Sequence, residues 1–364
     1  MKVVTILGAR PQFIKTKIIS ENFIKLGITE VILHTGQHYD YAMSEVFFKD
    51  LNLRNPDYNL GINNGCHGAQ TGKMLIQIEE ILTKENPNLV LVYGDTNSTL
   101  AGALSAVKLH IPVAHVEAGL RSFNRYMPEE INRLLTDSIS SLLFSPSEIS
   151  VKNLAAEGIV TGVHNTGDVM YDIVLNTINS VDQSKILSEN NLRKKEFILC
   201  TIHRAENSDN YKNLSEIVSG ICALADKGIT IIFPIHPRTK KALDKFELLP
   251  KISEKIKIIE PVSYTEMIAL QANAKLVITD SGGVQKESYY LGTPCLIPRK
   301  QTEWIELVEM GCSHLTDANQ EELFNLGWKL YNQQEGNSVN QKNIYGDGLS
   351  SNYITKIINE YLNN

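Results

Sequence analysis

The chain alternates short apolar runs, rich in β-branched residues, with longer amphipathic stretches. Runs of this kind predict buried strands, and the amphipathic stretches between them predict helices. Ten strands are predicted: Val3–Leu7, Val31–His34, Leu89–Val92, Val113–Val116, Leu142–Phe144, Phe197–Thr201, Ile229–Phe233, Ile256–Ile259, Leu276–Thr279 and Pro294–Ile297. Because strands that alternate with helices form parallel sheets covered on both faces, the pattern predicts an α/β fold.

This rhythm is interrupted from about Asp168 to Glu196, where no clear strand occurs and polar residues cluster. We therefore predict two Rossmann-like domains, residues 1–170 and 171–349, that face a cleft. A last apolar-periodic helix within residues 350–364 is expected to return to the first domain. Ligands of open parallel sheets bind outside the carboxyl ends of the strands, which places the predicted site in the cleft.

Composition narrows the class of protein. A chain of 364 residues with 43% hydrophobic and 21% charged residues is typical of a globular protein of two domains. The net charge of −6 offers no general attraction to nucleic acid or anionic membranes, so we expect neither as a partner and expect phosphate binding to be local. Five scattered cysteines argue against a disulfide framework or a zinc site. With no apolar run long enough to span a bilayer, we expect a cytoplasmic protein.

A candidate nucleotide site follows the strand Leu276–Thr279. The sequence breaks there at Asp280-Ser281-Gly282-Gly283 and continues as a helical stretch that carries Glu287. Glycines let the backbone approach a phosphate, and the first amide groups of a helix favour an anion. Glu287 is placed to accept hydrogen bonds from ribose hydroxyls. A plain turn between a strand and a helix has the same sequence pattern, so the motif alone leaves both interpretations open.

The turn after the first strand carries two cations. Gly8 is followed by a predicted helix with Arg10 and Lys15 in its opening turns. An arginine can bind phosphate through two parallel hydrogen bonds, and a lysine can act as a point charge. Two solvated basic residues at a helix start are the structural alternative.

Three carboxylates follow strands of the first half: Asp95, Glu117 and Glu129. Taken singly, Asp95 is explained as a helix cap and Glu129 as a first-turn acid that favours the helix dipole. Together they are typical of acid and base groups in one site, because neighbouring carboxylates raise one another's pKa values.

In the second half, two strands are each followed by a histidine and an arginine, His203-Arg204 and His236-Pro237-Arg238. His203 can bond a pyrophosphate oxygen and stabilise a departing nucleotide. No second histidine or carboxylate stands at ligand spacing, so no metal is predicted. His236 and Trp304 are consistent with either a ligand-facing or a structural role.

Taken together, the motifs resemble those of the non-hydrolysing UDP-N-acetylglucosamine 2-epimerases. The residues that carry the resemblance are Gly8–Pro11, Gly94–Thr96, His115–Arg121, Pro128–Glu130, His203–Asn207 and Asp280–Gln285. The resemblance implies a glycosyltransferase-B fold, a homodimer, a UDP-sugar substrate held chiefly by the second domain, and no cofactor or metal. It further implies that C2 loses its proton and UDP departs to leave a 2-acetamidoglucal, to which UDP is added back.

By the same resemblance, each candidate residue acquires a role. The carboxylates Asp95, Glu117 and Glu129 would move protons at C2, and His203 would support the departure of phosphate. Arg10 and Lys15 would hold phosphate. The groups expected to bind phosphate and ribose are Ser281, Gly282, Gly283 and Glu287.

Some positions depart from the common family pattern. Gln12 stands where glutamate is usual, Trp304-Ile305 replaces Arg-Pro, and Lys286 replaces an acid. With His34–Asp40, these variants resemble the branch that acts on UDP-2,3-diacetamido-2,3-dideoxyglucuronic acid. A sugar carboxylate would favour the more positive local charge. A UDP-sugar glycosyltransferase, a hydrolysing epimerase and a non-catalytic UDP-sugar sensor are the alternative functions, since a fold does not decide a reaction.

Overall fold

The computed structural model describes residues 1–37, 54–333 and 343–364, and for Arg10 and Pro11 it describes the backbone alone. The chain divides into two compact units. Met1–Ile173 and Asn343–Asn364 form the first, and Val174–Lys342 forms the second. The predicted cleft between two domains stays a prediction. The motif His34–Asp40 reaches beyond the described residues at position 38.

The first unit is built on seven parallel strands. They are β1 Lys2–Leu7, β2 Thr29–His34, β3 Tyr58–Asn59, β4 Leu89–Tyr93, β5 Val113–Val116, β6 Leu142–Ser145 and β7 Val163–Asn165, in the spatial order β3-β2-β1-β4-β5-β6-β7. Its helices are α1 Arg10–Lys25, α2 His67–Glu85, α3 Asn97–Lys108, α4 Pro128–Ile139, α5 Glu148–Ala156 and α6 Val169–Ser180, the last of which continues into the second unit.

The second unit repeats the plan with six parallel strands. They are β8 Phe197–Thr201, β9 Thr230–Pro234, β10 Lys257–Ile259, β11 Leu276–Thr279, β12 Cys295–Ile297 and β13 Ser313–Leu315, in the order β10-β9-β8-β11-β12-β13. Its helices are α7 Gln183–Glu189, α8 Ala205–Ser208, α9 Tyr211–Ala225, α10 Pro237–Lys245, α11 Leu249–Ser253, α12 Tyr264–Asn273, α13 Gly282–Tyr290, α14 Ile305–Glu309 and α15 Gln320–Tyr331. Two Rossmann-like parallel sheets confirm the predicted α/β class.

The strands are apolar because helices cover both faces of each sheet. Every residue of β4 is fully buried, as expected for a central parallel strand. All ten predicted strands are present, with ends that differ by at most two residues. Three strands were not predicted, namely β3, β7 and β13. Each contains two or three residues and lies at the edge of its sheet, so it is too short to show a period in the sequence.

Each sheet has a point where the strand order reverses, between β1 and β4 in the first and between β8 and β11 in the second. Ligand sites of doubly wound sheets lie at such points. Gly8 follows β1, and a β-carbon at this residue would lie 1.9 Å from Oγ of Ser98 at the start of α3. Only glycine lets the turn after β1 come this close to the turn after β4.

The last helix, α16 Ser350–Asn363, packs against α1, which confirms the expected return to the first domain. Asn22 of α1 donates a hydrogen bond to Oδ1 of Asn352 at 2.8 Å. At the start of α16, the buried carboxylate of Asp172 accepts from the amides of Ser350 (3.0 Å) and Ser351 (2.7 Å). These bonds satisfy two amides that have no partner within the helix.

Candidate active site

The carboxyl edge of the first sheet holds a buried ion pair between Lys15 and Glu117. Lys15 lies in α1 and is 6% exposed, and its ammonium group contacts Oε2 of Glu117, which follows β5. Burial acts to lower the pKa of Lys15, but Glu117, with Asp168 and Asp95, outweighs it and raises that pKa. A lysine and two of the predicted carboxylates, Asp95 and Glu117, are thus brought together at one edge.

The backbone around Glu117 adopts an uncommon conformation. Glu117 has a φ of 72°, in the left-handed region that non-glycine residues seldom occupy. Gly94, on the neighbouring turn after β4, has a φ of 63°, and a β-carbon there would lie 3.3 Å from Oε2 of Glu117. A larger residue at 94 would crowd the carboxylate as well as strain the turn.

Helix α4 holds Asp95 from the other side. Arg133 binds Oδ2 of Asp95 at 2.5 Å, and Asn132 donates to the carbonyl oxygen of Asp95 at 2.9 Å. Glu129 lies one turn before Arg133 and is exposed, and its carboxylate has no hydrogen-bond partner among the described residues. The structure therefore places all three carboxylates in the first unit, and Asn132 and Arg133 join α4 to Asp95 by hydrogen bonds.

Arg133 and Asn132 were not singled out from the sequence. Glu129 and Arg133 are four residues apart, a spacing that puts both on one face of a helix, and this could have marked Arg133. Glu130, the residue after Glu129, is 2% exposed. Its carboxylate accepts hydrogen bonds from the amides of Ser122 and Phe123 at 2.8 and 3.0 Å. Although burial acts to raise it, these bonds and Arg133 lower the pKa of Glu130. Glu130 therefore fixes the loop before α4.

The side-chain amide of Gln12 is hydrogen-bonded to the backbone through both its oxygen and its nitrogen. Its Oε1 accepts from the amides of Gly8 (2.7 Å) and Ala9 (2.9 Å), and its Nε2 donates to the carbonyl oxygen of Tyr93 at 2.6 Å. The amide groups of the glycine turn are thus bonded within the protein. A glutamate at this position could accept the same two bonds but, when ionised, could not donate to Tyr93.

The carboxyl edge of the second sheet is organised by Asp280, which follows β11 and is fully buried. Its carboxylate accepts from the backbone amides of His203 and Arg204, each at 3.0 Å, and from Nδ2 of Asn207 at 3.0 Å. Asp280 thereby shapes the turn after β8 that presents His203. Burial, with Arg204, His236 and Arg238, lowers the pKa of His203 against the opposing effect of Asp280.

The glycine turn after β11 opens helix α13. Ser281 precedes the helix, and Gly282 and Gly283 form its first turn, where amide groups have no partner within the helix. A β-carbon at Gly283 would have no neighbour nearer than 4.0 Å, whereas one at Gly282 would lie 3.3 Å from Nε1 of Trp304. There is therefore free space beside Gly283 at the start of α13, whereas Trp304 covers Gly282. Nε1 of Trp304 also donates to the carbonyl oxygen of Gly282 at 3.0 Å.

Glu287 lies one turn further along α13 and is 8% exposed. Its Oε2 accepts from Nε2 of Gln271 at 2.8 Å, and burial raises the pKa of Glu287. Its neighbour Lys286 points its ammonium group at the Trp304 ring, 4.2 Å from the centroid. His236 caps α10, where its Nδ1 accepts from the amide of Arg238 at 3.1 Å.

The side chain of Arg10 lies outside the described residues. Within residues 1–37, 54–333 and 343–364, no group of three or more histidine, cysteine, aspartate or glutamate side chains is arranged to hold a metal ion. None of the helices in this part of the chain combines the length and apolar character needed to cross a bilayer.

Comparison with known proteins adds the family context. Residues 24–359 match the family model described as UDP-N-acetylglucosamine 2-epimerase. A Methanococcus maripaludis UDP-N-acetylglucosamine 2-epimerase homolog is 53% identical over 350 residues, which cover 93% of this chain and 97% of that protein. The UDP-2,3-diacetamido-2,3-dideoxy-D-glucuronate 2-epimerase of Pseudomonas aeruginosa is 48% identical over 323 residues, 87% of this chain and 89% of that protein.

A solved structure shows the same fold. The crystal structure of the Methanocaldococcus jannaschii UDP-GlcNAc 2-epimerase in complex with UDP-GlcNAc and UDP is 47% identical, with a TM-score of 0.84 and coverage of 99% of this chain and 100% of that chain. The two Rossmann-like units are therefore of the glycosyltransferase-B type.

Proposed function

Because the chain belongs to the UDP-N-acetylglucosamine 2-epimerase family and is a non-hydrolysing UDP-sugar 2-epimerase, we propose that its substrate is UDP-N-acetylglucosamine, which it interconverts with UDP-N-acetylmannosamine. The observation that carries this proposal is the likeness, over almost the whole chain, to an archaeal enzyme crystallised with UDP-GlcNAc and UDP. The enzyme is an isomerase.

The first unit supplies the proton-transfer groups of the proposal. A carboxylate removes the C2 proton, the electron pair forms the double bond between C1 and C2, and the bond from C1 to the UDP oxygen breaks. Protonation of C2 from the other face and return of UDP to C1 complete the epimerisation. We assign these proton transfers to Asp95, Glu117 and Glu129. Lys15 supports the assignment because it gives Glu117 a cationic partner away from bulk water.

The second unit supplies the UDP site of the proposal. We assign phosphate binding to Ser281, Gly282 and Gly283, where the start of α13 is open at Gly283. His203 would donate to the departing pyrophosphate, and Glu287 would accept from the ribose. Arg10 and Lys15 of the first unit keep their proposed role as phosphate contacts.

UDP-2,3-diacetamido-2,3-dideoxyglucuronic acid is the second candidate substrate, favoured by the identity to the Pseudomonas enzyme and by the sequence variants at positions 12, 286 and 304. Gln12 weakens the charge argument for this sugar, since its amide is engaged by the backbone at both ends. Lys286 is the variant that adds a positive charge, next to Trp304.

The test incubates the protein in D₂O with each UDP-sugar separately and follows C2 by NMR. We expect deuterium at C2 of UDP-GlcNAc and formation of its epimer with UDP still attached. Deuterium in the diacetamido sugar alone would contradict the proposed substrate and establish the second candidate. Net release of UDP, or no exchange in either sugar, would contradict the proposed reaction.

Three variants separate catalysis from ligand binding in the same experiment. Asp95→Asn, Glu117→Gln and Glu129→Gln should each lose C2 exchange but still bind UDP, because each substitution leaves the proposed UDP groups of both units in place. If all three retained exchange, the assignment of the carboxylates would be wrong.

We also propose, from the family resemblance, that the protein is a homodimer, which light scattering after gel filtration would test. The expected cytoplasmic location stays a prediction.

A further inference from the structure

The buried ring of His115 bridges the two turns that carry Asp95 and Glu117. His115 lies on β5 and is 0% exposed. Its Nδ1 lies 2.7 Å from Oδ1 of Asp137, and its Nε2 lies 2.7 Å from the carbonyl oxygen of Gly94. A carbonyl oxygen and a carboxylate can each accept a hydrogen bond but cannot donate one. A neutral imidazole has one N–H, so the ring satisfies both partners only as the doubly protonated imidazolium.

The surroundings of Asp137 suit a cationic ring. Asp137, on α4, also accepts from Nη1 of Arg121 at 2.7 Å and from the amide of Gly119 at 3.1 Å. Burial acts to raise the pKa of Asp137, but His115 and Arg121 outweigh it and lower that pKa. Arg121 in turn binds Glu157 at 2.7 Å. His115 and Arg121 thus face Asp137 and Glu157, two cations against two anions, which is how buried charges are tolerated.

His115 connects the turn that carries Asp95 to the turn that carries Glu117. The first connection is a hydrogen bond of its ring, and the second is the chain itself. The carbonyl oxygen of Gly94 belongs to the peptide group whose nitrogen is that of Asp95, and His115 itself stands two residues before Glu117. On the same side, Asp137 holds the amide of Gly119, two residues after Glu117. Gly94 and Gly119 adopt positive φ angles without strain, but Glu117 does not, so the turn that carries Glu117 needs contacts that hold it in this conformation.

We propose that the His115 imidazolium is a positioning residue of the epimerase reaction, which fixes the Asp95 turn relative to Glu117 through its hydrogen bond to the Gly94 carbonyl. The inference rests on the proposed proton-transfer roles of those two carboxylates. His115 does not itself exchange a proton with the sugar, because both of its N–H groups are engaged within the protein. A buried histidine that only fills the core would not need its Nε2–H group.

Two substitutions of His115 each remove one of the two hydrogen bonds of its ring and keep the other. The amide nitrogen of asparagine reaches about as far as Nδ1 of histidine, so His115→Asn keeps a donor for Asp137 and loses the bond to Gly94. Glutamine reaches about as far as Nε2, so His115→Gln keeps the donor to Gly94 and loses the one to Asp137. His164→Asn is the control, because His164 is a partly buried histidine of β7 that packs on Phe144.

We expect His115→Asn to lower kcat about 100-fold and to change KM for the UDP-sugar by less than about threefold, since misplaced groups slow the chemical step and not binding. His115→Gln should stay within about tenfold of the wild-type kcat, because it restores the bond to Gly94. The deuterium isotope effect on kcat with C2-deuterated sugar should rise in His115→Asn alone, since removal of the C2 proton becomes more rate-limiting. His164→Asn should match the wild type.

Equal loss in the Asn and Gln variants, with an active wild type, would overturn the positioning role and leave the proposed function intact. An unchanged isotope effect in His115→Asn would overturn it as well. A wild type that exchanges C2 in neither sugar would overturn the proposed function and, with it, this inference. Should either variant fail to fold, Asp137→Asn tests the same bond with the histidine in place. It should lower kcat about tenfold with KM unchanged, and a wild-type kcat would overturn the inference.

Discussion

The carboxyl edges of the two sheets are built from different chemistry. At the first edge, side-chain charges face one another in pairs: Lys15 with Glu117, Arg133 with Asp95, and His115 with Asp137. At the second edge, the fully buried carboxylate of Asp280 binds backbone amides, and the ion pairs of Arg299 are with the more exposed Glu206 and Glu303. The groups that we propose to face the ligand there are helix amides and His203. The first edge is suited to moving protons and the second to holding an anion. The proposed roles thus assign two functions to one architecture, because different groups stand at equivalent positions.

The largest expected effect comes from removing the carboxylate of Glu117, one of the three to which we assign proton transfer. Glu117→Gln should lower turnover about 10³-fold, since general acid or base catalysis contributes on this scale. Affinity for UDP, measured by calorimetry, should be retained, because the substitution leaves Lys15 and the proposed UDP groups of the second unit in place. Glu21→Gln, at an exposed position of α1, is the control. A similar loss of UDP affinity in Glu117→Gln would contradict the proposed division of proton transfer and UDP binding between the two edges.

Next in size is the loss of Asp280 from the second edge. Asp280→Ala leaves the amides of His203 and Arg204 and the side chain of Asn207 without their acceptor, and should reduce the free energy of unfolding by about 3 kcal/mol. Both tryptophans, Trp304 and Trp328, lie in the second unit, so tryptophan fluorescence in urea reports that unit alone.

The matched control for Asp280 is Asp226→Ala, which removes an exposed ion pair with Lys255 and should change the same free energy by less than about 1 kcal/mol. Equal effects of the two variants would show that Asp280 does not organise the second edge.

A smaller effect is expected from the proton on His203. Its lowered pKa leaves the ring neutral at pH 7 in the free protein, whereas the phosphates of UDP favour the imidazolium. Binding of UDP should therefore take up a proton, and affinity should rise as the pH falls from about 8 to about 6. Calorimetry in buffers of different ionisation enthalpy measures this uptake. His203→Asn should abolish the uptake and lower affinity about tenfold. His164→Asn should change neither, and uptake that persists without His203 would assign the proton to another group.

The smallest expected effect concerns Gln12 at the first edge. Gln12→Glu replaces the donor to the Tyr93 carbonyl by a charged acceptor and should cost about 1 kcal/mol of stability at pH 7. Calorimetric unfolding would show this as a lower Tm of the first unit, without a change in the tryptophan signal of the second. The difference should shrink near pH 4, where a protonated carboxyl can donate. Gln77→Glu, exposed on α2, adds the same charge and should have no such effect.

The sequence predicted the two sheets. It also predicted that Asp95 and Glu117 lie at the carboxyl edge of the first sheet and that His203 and Gly282 lie at that of the second, because residues that follow parallel strands come together at the carboxyl edge of their sheet. It could not predict which groups pair there. Lys15 and Glu117 are 102 residues apart, and no local pattern joins them. Gln12 was noted as a variant. Its bond to the amide of Gly8 is local, but its bond to the carbonyl oxygen of Tyr93 joins residues 81 positions apart and cannot be read from a local pattern. The roles of all these residues in catalysis stay predictions.

The return of α16 to α1 also bears on how the protein is made. Residues 174–342 form an uninterrupted unit, whereas Asn22 of the first unit bonds Asn352, 330 residues further along the chain. During synthesis the second unit can fold as soon as its own segment leaves the ribosome, but the helix that carries Lys15 receives its last partner only after residues 350–363 have been translated. Such distant contacts also slow folding. A nascent chain therefore acquires the edge to which we assign anion binding before the edge to which we assign proton transfer is complete. A prematurely terminated product is thus expected to bind UDP through its second unit without being able to turn it over.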